Sequence, residues 1–403
     1  MIAGLRCAVC GTTVDIAVPF PWRCPNATAD DPYHVLHIVE GAGRSEPTAD
    51  PNPFVRYGPR LAWWAFARAN GLTAAACEAL TYEVAGDFAV TPFERSTMLS
   101  EELQLDVWVK DETGNVAGSH KARHLVGILL HLRAAETLGQ LVERPRLAIA
   151  SCGNAALAAA TLATSVDWPL DVYVPTWIDE VLGQRLEELG ARVHRCVRRD
   201  DDPPGDPAML RFREARSAGS IPFTVQGPEN GLCLDGGRTI GWEIADQAAD
   251  AGLALGRVVV QVGGGALAAC TGTGLGRGVR LDTAQAEGCA PLADAWARLA
   301  TVDRPERYWS QVMRPWTDPH SAADGILDDE TYDWIADVEA MVESGGEPIV
   351  APESEILRAH ELATAAGYSV SATGSAGLAG VLAARPDFRS GDHIAVVMSG
   401  VAR

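Results

Sequence analysis

The sequence predicts an α/β fold with mostly parallel, open sheets flanked by helices. Two observations carry that expectation. From about Pro51 onward, short apolar strand-like runs alternate with helical stretches, the pattern of parallel βαβ units. One of those runs, Val258-Val259-Val260-Gln261-Val262, is almost wholly apolar and reads as the clearest buried strand in the chain. At 403 residues the chain is long enough for two or three domains.

The composition narrows the function classes. Lysine and arginine number 33 and aspartate and glutamate 53, a formal net charge of −20. A surface this acidic repels phosphate backbones and anionic lipid, so neither nucleic acid nor a membrane is an expected partner. Hydrophobic residues make up 47% and charged residues 21%, which fits a packed core and excludes wholesale disorder. Met1 to Arg6 is too short and mixed for a secretory leader. Leu147 to Val166 carries no charge, but its Ser151, Cys152, Gly153 and Asn154 make it a strand, a polar loop and a buried helix rather than a membrane span. Most of the nine cysteines lie singly in apolar surroundings, so reduced thiols and a cytoplasmic location are expected.

The elements follow in chain order. Residues 1–46 hold three cysteines and several prolines. Cys7-Ala-Val-Cys10 followed by Cys24 looks like most of a zinc ribbon, whose usual form has two Cys-x-x-Cys knuckles. Cys24 has no second cysteine at knuckle spacing, and His34 or His37 is the candidate fourth donor; a ribbon without metal is the other reading. Leu105 to Val109 reads as a strand, and Lys121 to Gln140 as a helix with apolar Leu125, Ile128, Leu129 and Leu132. Arg146 to Ala150 leads into Ser-Cys-Gly-Asn and an alanine-rich helix. Leu170 to Pro175 is a strand, Arg185 to Leu189 a helix ending at Gly190, and Arg192 to Val197 a further strand. Arg198 to Pro207 is a surface turn, and Ile394 to Met398 a last strand before Ser399-Gly400.

Three loops fall where parallel sheets place ligands, just past the carboxyl ends of strands. In the first, Lys121 follows Gly118-Ser119-His120 at a helix start, where the dipole eases loss of its proton and a neutral amine can form a Schiff base. In the second, Ser151-Cys152-Gly153-Asn154 offers free N–H groups suited to a carboxylate, although an ordinary helix cap has the same residues. In the third, Gly263-Gly264-Gly265-Ala266 can wrap a phosphate with backbone N–H groups, or make a tight turn. Each is weak alone.

Taken in order, Asn115-x-x-Gly118-Ser119-x-Lys121-x-Arg123, Ser151-x-Gly153-Asn154, Gly263-Gly264-Gly265-x-Leu267 and Ser399-Gly400 resemble the fold-type II pyridoxal-phosphate enzymes. Thr91-Pro92-Phe93, Gly236 to Glu243, and Thr373-Gly374-Ser375-Ala376-Gly377, read as a late turn, match further motifs of that group. The likeness covers roughly Phe54 to the C-terminus. It implies pyridoxal 5′-phosphate as cofactor and Lys121 as the Schiff-base lysine that also shuttles the Cα proton. It implies Asn154 on the ring hydroxyl, Gly263, Gly264, Gly265 and Ala266 on the phosphate, and Ser399 facing the pyridine nitrogen. Ser119, Ser151, Cys152 and Gly153 would meet the amino-acid substrate. The implied architecture has a large cofactor domain (47–114 and 223–403), a small substrate domain (115–222) inserted in it, and the ribbon-like N-terminus; a homodimer is expected by the same likeness.

The motifs split among family members. Cys7 to Cys24 and Asn52 to Tyr57 look like threonine synthase, while His120 and Ala122 replace its usual Phe and Asp around the lysine. Lys121-x-Arg123 is the dehydratase and synthase habit. Elimination or replacement at Cβ or Cγ is therefore expected, of the threonine synthase or threonine/serine ammonia-lyase kind. The alternatives are a tryptophan or cysteine synthase-like enzyme and an inactive scaffold of the same fold; a nucleotide-binding protein lacks Gly-x-Gly-x-x-Gly here. Without a nearby carboxylate, His120 reads as packing beside the cofactor, and Asp324 and Glu287 are read as solvated acids with no metal assigned.

Overall fold

The computed structural model of the chain describes residues 2–28, 30–41, 43, 45–276 and 278–402. The chain opens with strands β1 (Ile2–Cys7), β2 (Thr13–Asp15) and β3 (Leu36–Glu40), then lays down β4 (Phe93–Arg95) and β5 (Asp106–Asp111). It crosses into β6 (Leu147–Ala150), β7 (Leu170–Pro175), β8 (Arg192–Cys196) and β9 (Ile221–Pro222), and returns with β10 (Arg257–Gln261), β11 (Arg280–Ala286), β12 (Pro348–Ala351) and β13 (His393–Met398). Among the described residues three sheets result. β2-β1-β3 is antiparallel, and β8-β7-β6-β9 is parallel throughout. The six-stranded sheet runs β12-β11-β10-β13-β5-β4, parallel except for the edge strand β4. The α/β class with a ribbon-like N-terminal sheet is thus the observed one.

The large sheet is buried on both faces, which is why its strands read as apolar runs. On β10, Val259 faces one core while Val258 and Val260 face the other. On β13, Ile394 and Val396 alternate in the same way with Ala395 and Val397. The third core joins the N-terminal sheet (Leu5, Leu36) to the four-stranded sheet (Leu147, Val172) through the helix Lys121–Thr137.

Several boundaries differ from expectation. The Lys121 helix stops at Thr137, where Gly139 at φ 71° turns the chain left-handed. The helix expected from Arg185 begins at Glu180, because Asp179 caps it by accepting the Leu182 N–H at 3.0 Å. Thr373 to Gly377 is no turn: it lies in the first turns of the helix Ala372–Ala383, capped by Ser371. Leu147 to Val166 divides into β6, a loop and the helix Asn154–Ser165, and among the described residues no helix is long and apolar enough to cross a membrane.

Candidate active site

Four chain segments meet beyond the carboxyl ends of β5, β6, β10 and β13. The segment after β5 carries Lys121. Its path is fixed by Asn115, whose side chain accepts the Val116 N–H at 2.8 Å and donates to Glu112 at 2.7 Å, and by Ala117 and Gly118 at φ 56° and 70°. It is stitched to the end of β13. The Val401 N–H donates to Gly118 O at 3.0 Å, and the His120 N–H donates to Ser399 O at 3.0 Å. Ser119 and Gly400 form a bridge, so Lys121 and Ser399 belong to one rigid unit.

Asn154 starts its helix directly after the Ser151-Cys152-Gly153 loop. A Cβ placed on Gly400 would lie 2.9 Å from both Asn154 Nδ2 and Ser119 Cβ, so all three loops converge on that glycine. The structure therefore brings Ser119, Asn154 and Ser399 together, with Ser151, Cys152 and Gly153 half-buried at the N-terminal end of the adjoining helix. The Ser151 N–H donates to Tyr173 O at 3.2 Å and the Gly153 N–H to Ser151 Oγ at 3.3 Å, while the N–H groups that an α-helix leaves without intrahelical partners are those of its own first turn, here from Asn154 on.

The glycine loop lies between β10 and the helix Ala266–Leu275. Gly265 sits at φ 102°, which disfavours any side chain there. Facing this loop is a segment the sequence reading passed over. Asp328 accepts a hydrogen bond from the Gly264 backbone, and a Cβ on Gly263 would lie 2.5 Å from Asp328 Oδ2. Asp333 donates its N–H to Gly264 O at 2.8 Å, and its carboxylate accepts the Gly227 N–H at 3.1 Å. Burial pushes the Asp328 carboxyl up to about 6 and Asp333 up to about 7, with the Lys121 charge pulling both back down.

Ser399 is held by a second residue the sequence did not reveal. Gln261 Nε2 donates to Ser399 Oγ at 2.7 Å and to the carbonyls of Gly374 and Val397 at 2.8 and 3.2 Å. Two carbonyls fix which end of the amide points this way. The Ser399 oxygen thus accepts from Gln261, and its own proton remains to be donated.

His120 is buried, both ring nitrogens lack partners, and burial pushes its pKa well down, so the ring is neutral. Its ring stacks edge-on against His124 at 5.4 Å, in keeping with a packing role. Arg123 reaches no substrate position. It is fully buried between Glu112 and Glu243, at 2.8 and 2.5 Å. The Gly236 to Glu243 and Thr91 motifs serve that network, Thr239 accepting from Arg123 at 3.0 Å and Thr91 from its Nη2 at 3.1 Å. Asp324 accepts from Thr373 Oγ1 at 3.1 Å and Glu287 from the Glu353 N–H at 2.8 Å.

In the N-terminal sheet, Cys7, Cys10 and Cys24 converge with His34, all four ligand atoms lying within 4.8 Å of one another. His37 is elsewhere, its Nδ1 3.2 Å from Glu339.

These residues suit the cofactor that the motifs imply. The Gly264 backbone already donates to the Asp328 carboxyl, so this side-chain-free loop turns an N–H toward an oxygen acceptor, as a phosphate would need. Ser119 Oγ is buried without a partner beside Asn154, and Ser399 keeps a proton to give.

The family model for pyridoxal-phosphate dependent enzymes matches residues 84–400. Among solved structures, a T.th. threonine deaminase superposes with a TM-score of 0.64 at 22% identity, covering 82% of this chain and 99% of that one. A serine racemase of maize gives 0.63 at 16%, covering 80% and 92%. An L-serine ammonia-lyase of the fungus Rhizomucor miehei gives 0.61 at 18%, covering 78% and 94%. No curated protein matches the chain by sequence. At such identities the structural likeness is one of fold, while the family model spans the lysine, both polar loops and the end of β13. The chain belongs to the pyridoxal-phosphate dependent enzymes of fold type II.

Proposed function

We propose that the chain eliminates a leaving group from Cβ or Cγ of an amino acid, as a lyase of the threonine/serine ammonia-lyase kind. The observation that carries this reading is the neutral hydroxyl of Ser399, held as a donor by Gln261. When bound, the cofactor supplies an electron sink for the substrate carbon, and the protein decides which bond breaks. The Ser399 hydroxyl, unlike a carboxylate, would leave the ring nitrogen of a bound cofactor largely unprotonated, which would favour loss of a leaving group over transamination. Lys121 would take the Cα proton and hand it on as general base and acid. The Ser151-Cys152-Gly153 loop, with the first-turn N–H groups of the helix it leads into, would hold the substrate carboxylate. His120, neutral and without a carboxylate to orient it, excludes water beside the lysine. Names among the similar structures, threonine deaminase and L-serine ammonia-lyase, support the reading; racemases are among them too.

The test is a screen of serine, threonine, O-phosphohomoserine and β-substituted alanines on the holoenzyme. Keto acid and ammonia are expected from at least one of them without an added nucleophile. Lys121→Ala should lower turnover by about 10²–10⁴-fold or more. Chiral analysis separates the other outcome: D-amino acid as the sole product from every substrate overturns the lyase reading, as does full turnover in Lys121→Ala.

A further inference from the structure

We propose that Cys7, Cys10, Cys24 and His34 form a closed, structural zinc site in the N-terminal sheet. The four donor atoms lie within 4.8 Å of one another, close enough to share one ion. Cys10 Sγ lies 3.6 Å from Cys24 Sγ, and Cys7 Sγ lies 3.4 Å from His34 Nδ1. Zinc bonds of about 2.3 Å to sulfur and about 2.0 Å to nitrogen put tetrahedral ligand atoms roughly 3.5–3.8 Å apart. The donors arrive from four separate points of the chain: the end of β1, the turn after it, the Cys24 loop and the approach to β3.

N–H donors are aimed at all three sulfurs. The Cys10 N–H points at Cys7 Sγ at 3.4 Å and the Asn26 N–H at Cys24 Sγ at 3.4 Å. Asn26 Nδ2 points at Cys10 Sγ at 3.5 Å. A neutral thiol is a poor acceptor, and three sulfurs each met by N–H donors suit thiolates on a metal. His34 is buried, with Nδ1 toward the sulfurs and Nε2 3.1 Å from Asp31 Oδ2. That carboxylate fixes which nitrogen is free to ligate, the arrangement that metal-binding histidines commonly have. Four protein donors leave no open position, so the role is structural, not hydrolytic. A disulfide between Cys10 and Cys24 would use two sulfurs and strand Cys7 and His34 in their present convergence.

Metal analysis of the full-length holoenzyme, purified from zinc-supplemented medium, tests this. About one zinc per chain is expected, released by an organic mercurial, and cobalt(II) exchanged into the site should give the visible bands of a tetrahedral thiolate centre. Cys10→Ser and His34→Ala should lose the metal, and His37→Ala should keep it. If the ligand variants fail to fold, the wild-type stoichiometry and cobalt spectrum still decide. Zinc-free protein, a Cys10–Cys24 disulfide by mass spectrometry, or undiminished zinc in His34→Ala each overturns the assignment.

Discussion

Ser399 has one proton to donate because Gln261 already occupies its oxygen from behind. The amide has two hydrogens and three acceptors within reach, and the shortest contact goes to the serine. Removing Gln261 frees the hydroxyl to rotate and donate backward to a carbonyl instead. Ser399→Ala and Gln261→Leu should therefore each weaken pyridoxal phosphate binding about tenfold, the worth of one buried hydrogen bond. Because both act through one bond, the double variant should lose clearly less than the product of the two. Titrating the visible absorbance of the apoprotein with cofactor measures all three. Losses that multiply in full would show that Gln261 acts only on the fold.

At the scale of elements, the lysine helix is anchored by a buried charge quartet. Lys110 Nζ lies 2.5 Å from Glu243, and Arg123 bridges Glu243 and Glu112, all four side chains without solvent exposure. Burial alone would raise the Glu112 carboxyl, but Arg123 and Lys110 hold it below the usual range. The quartet ties β5, the Lys121–Thr137 helix and the Cys233–Asp250 helix into one body. Gly127 and Gly236 let those two helices touch backbone to backbone. Glu243→Ala strands the Lys110 cation in the core, leaves Arg123 with Glu112 alone, and should cost about 3–5 kcal/mol in chemical denaturation; a loss under about 1 kcal/mol would mean the pairs contribute little. This network also marks what the sequence concealed. Lys121, the glycine triplet and Ser399 were legible because a helix start, side-chain-free backbone and a strand end are local signals. Glu243 was legible only as a motif letter, since its partners lie 120 and 133 residues away. Gln261 hid inside an apolar strand, and Asp328 and Asp333 in a stretch without periodicity. The choice of His34 over His37 depended on how β3 packs, which no spacing rule conveys.

Over the whole molecule, charge and burial combine into a pH dependence whose sign can be worked out. Burial raises Asp333 and Glu330 to about 7, and raises Asp337 well above its usual value. The folded chain holds these protons where the unfolded chain has released them. For Asp333 and Glu330 the stability they contribute is complete below about pH 4 and is lost as pH rises through 7, and Asp337 acts with the same sign. Buried His124 and His131, lowered to about 3 and about 4, work in the opposite direction, since the unfolded chain takes up their protons as pH falls below about 6.5. Between 6.5 and about 7.5 the unfolded histidines lose their remaining protons, and this opposing contribution fades. The window from pH 6.5 to 8 therefore belongs to the buried acids, and the net charge of −20 adds self-repulsion of the same sign. The melting temperature should fall across that window. Each unit between folded and unfolded pKa is worth about 1.4 kcal/mol, so a single carboxyl is detectable. Asp333→Asn keeps an oxygen for the Gly227 N–H while removing the titration, and should flatten part of the slope. Added salt should lift the high-pH end by screening the surface, yet leave the contribution of Asp333 in place, because buried charges are screened far less. A melting temperature that is level or rising from pH 6.5 to 8, or a slope unchanged in Asp333→Asn, would mean that the acids facing the glycine loop are not buried in solution.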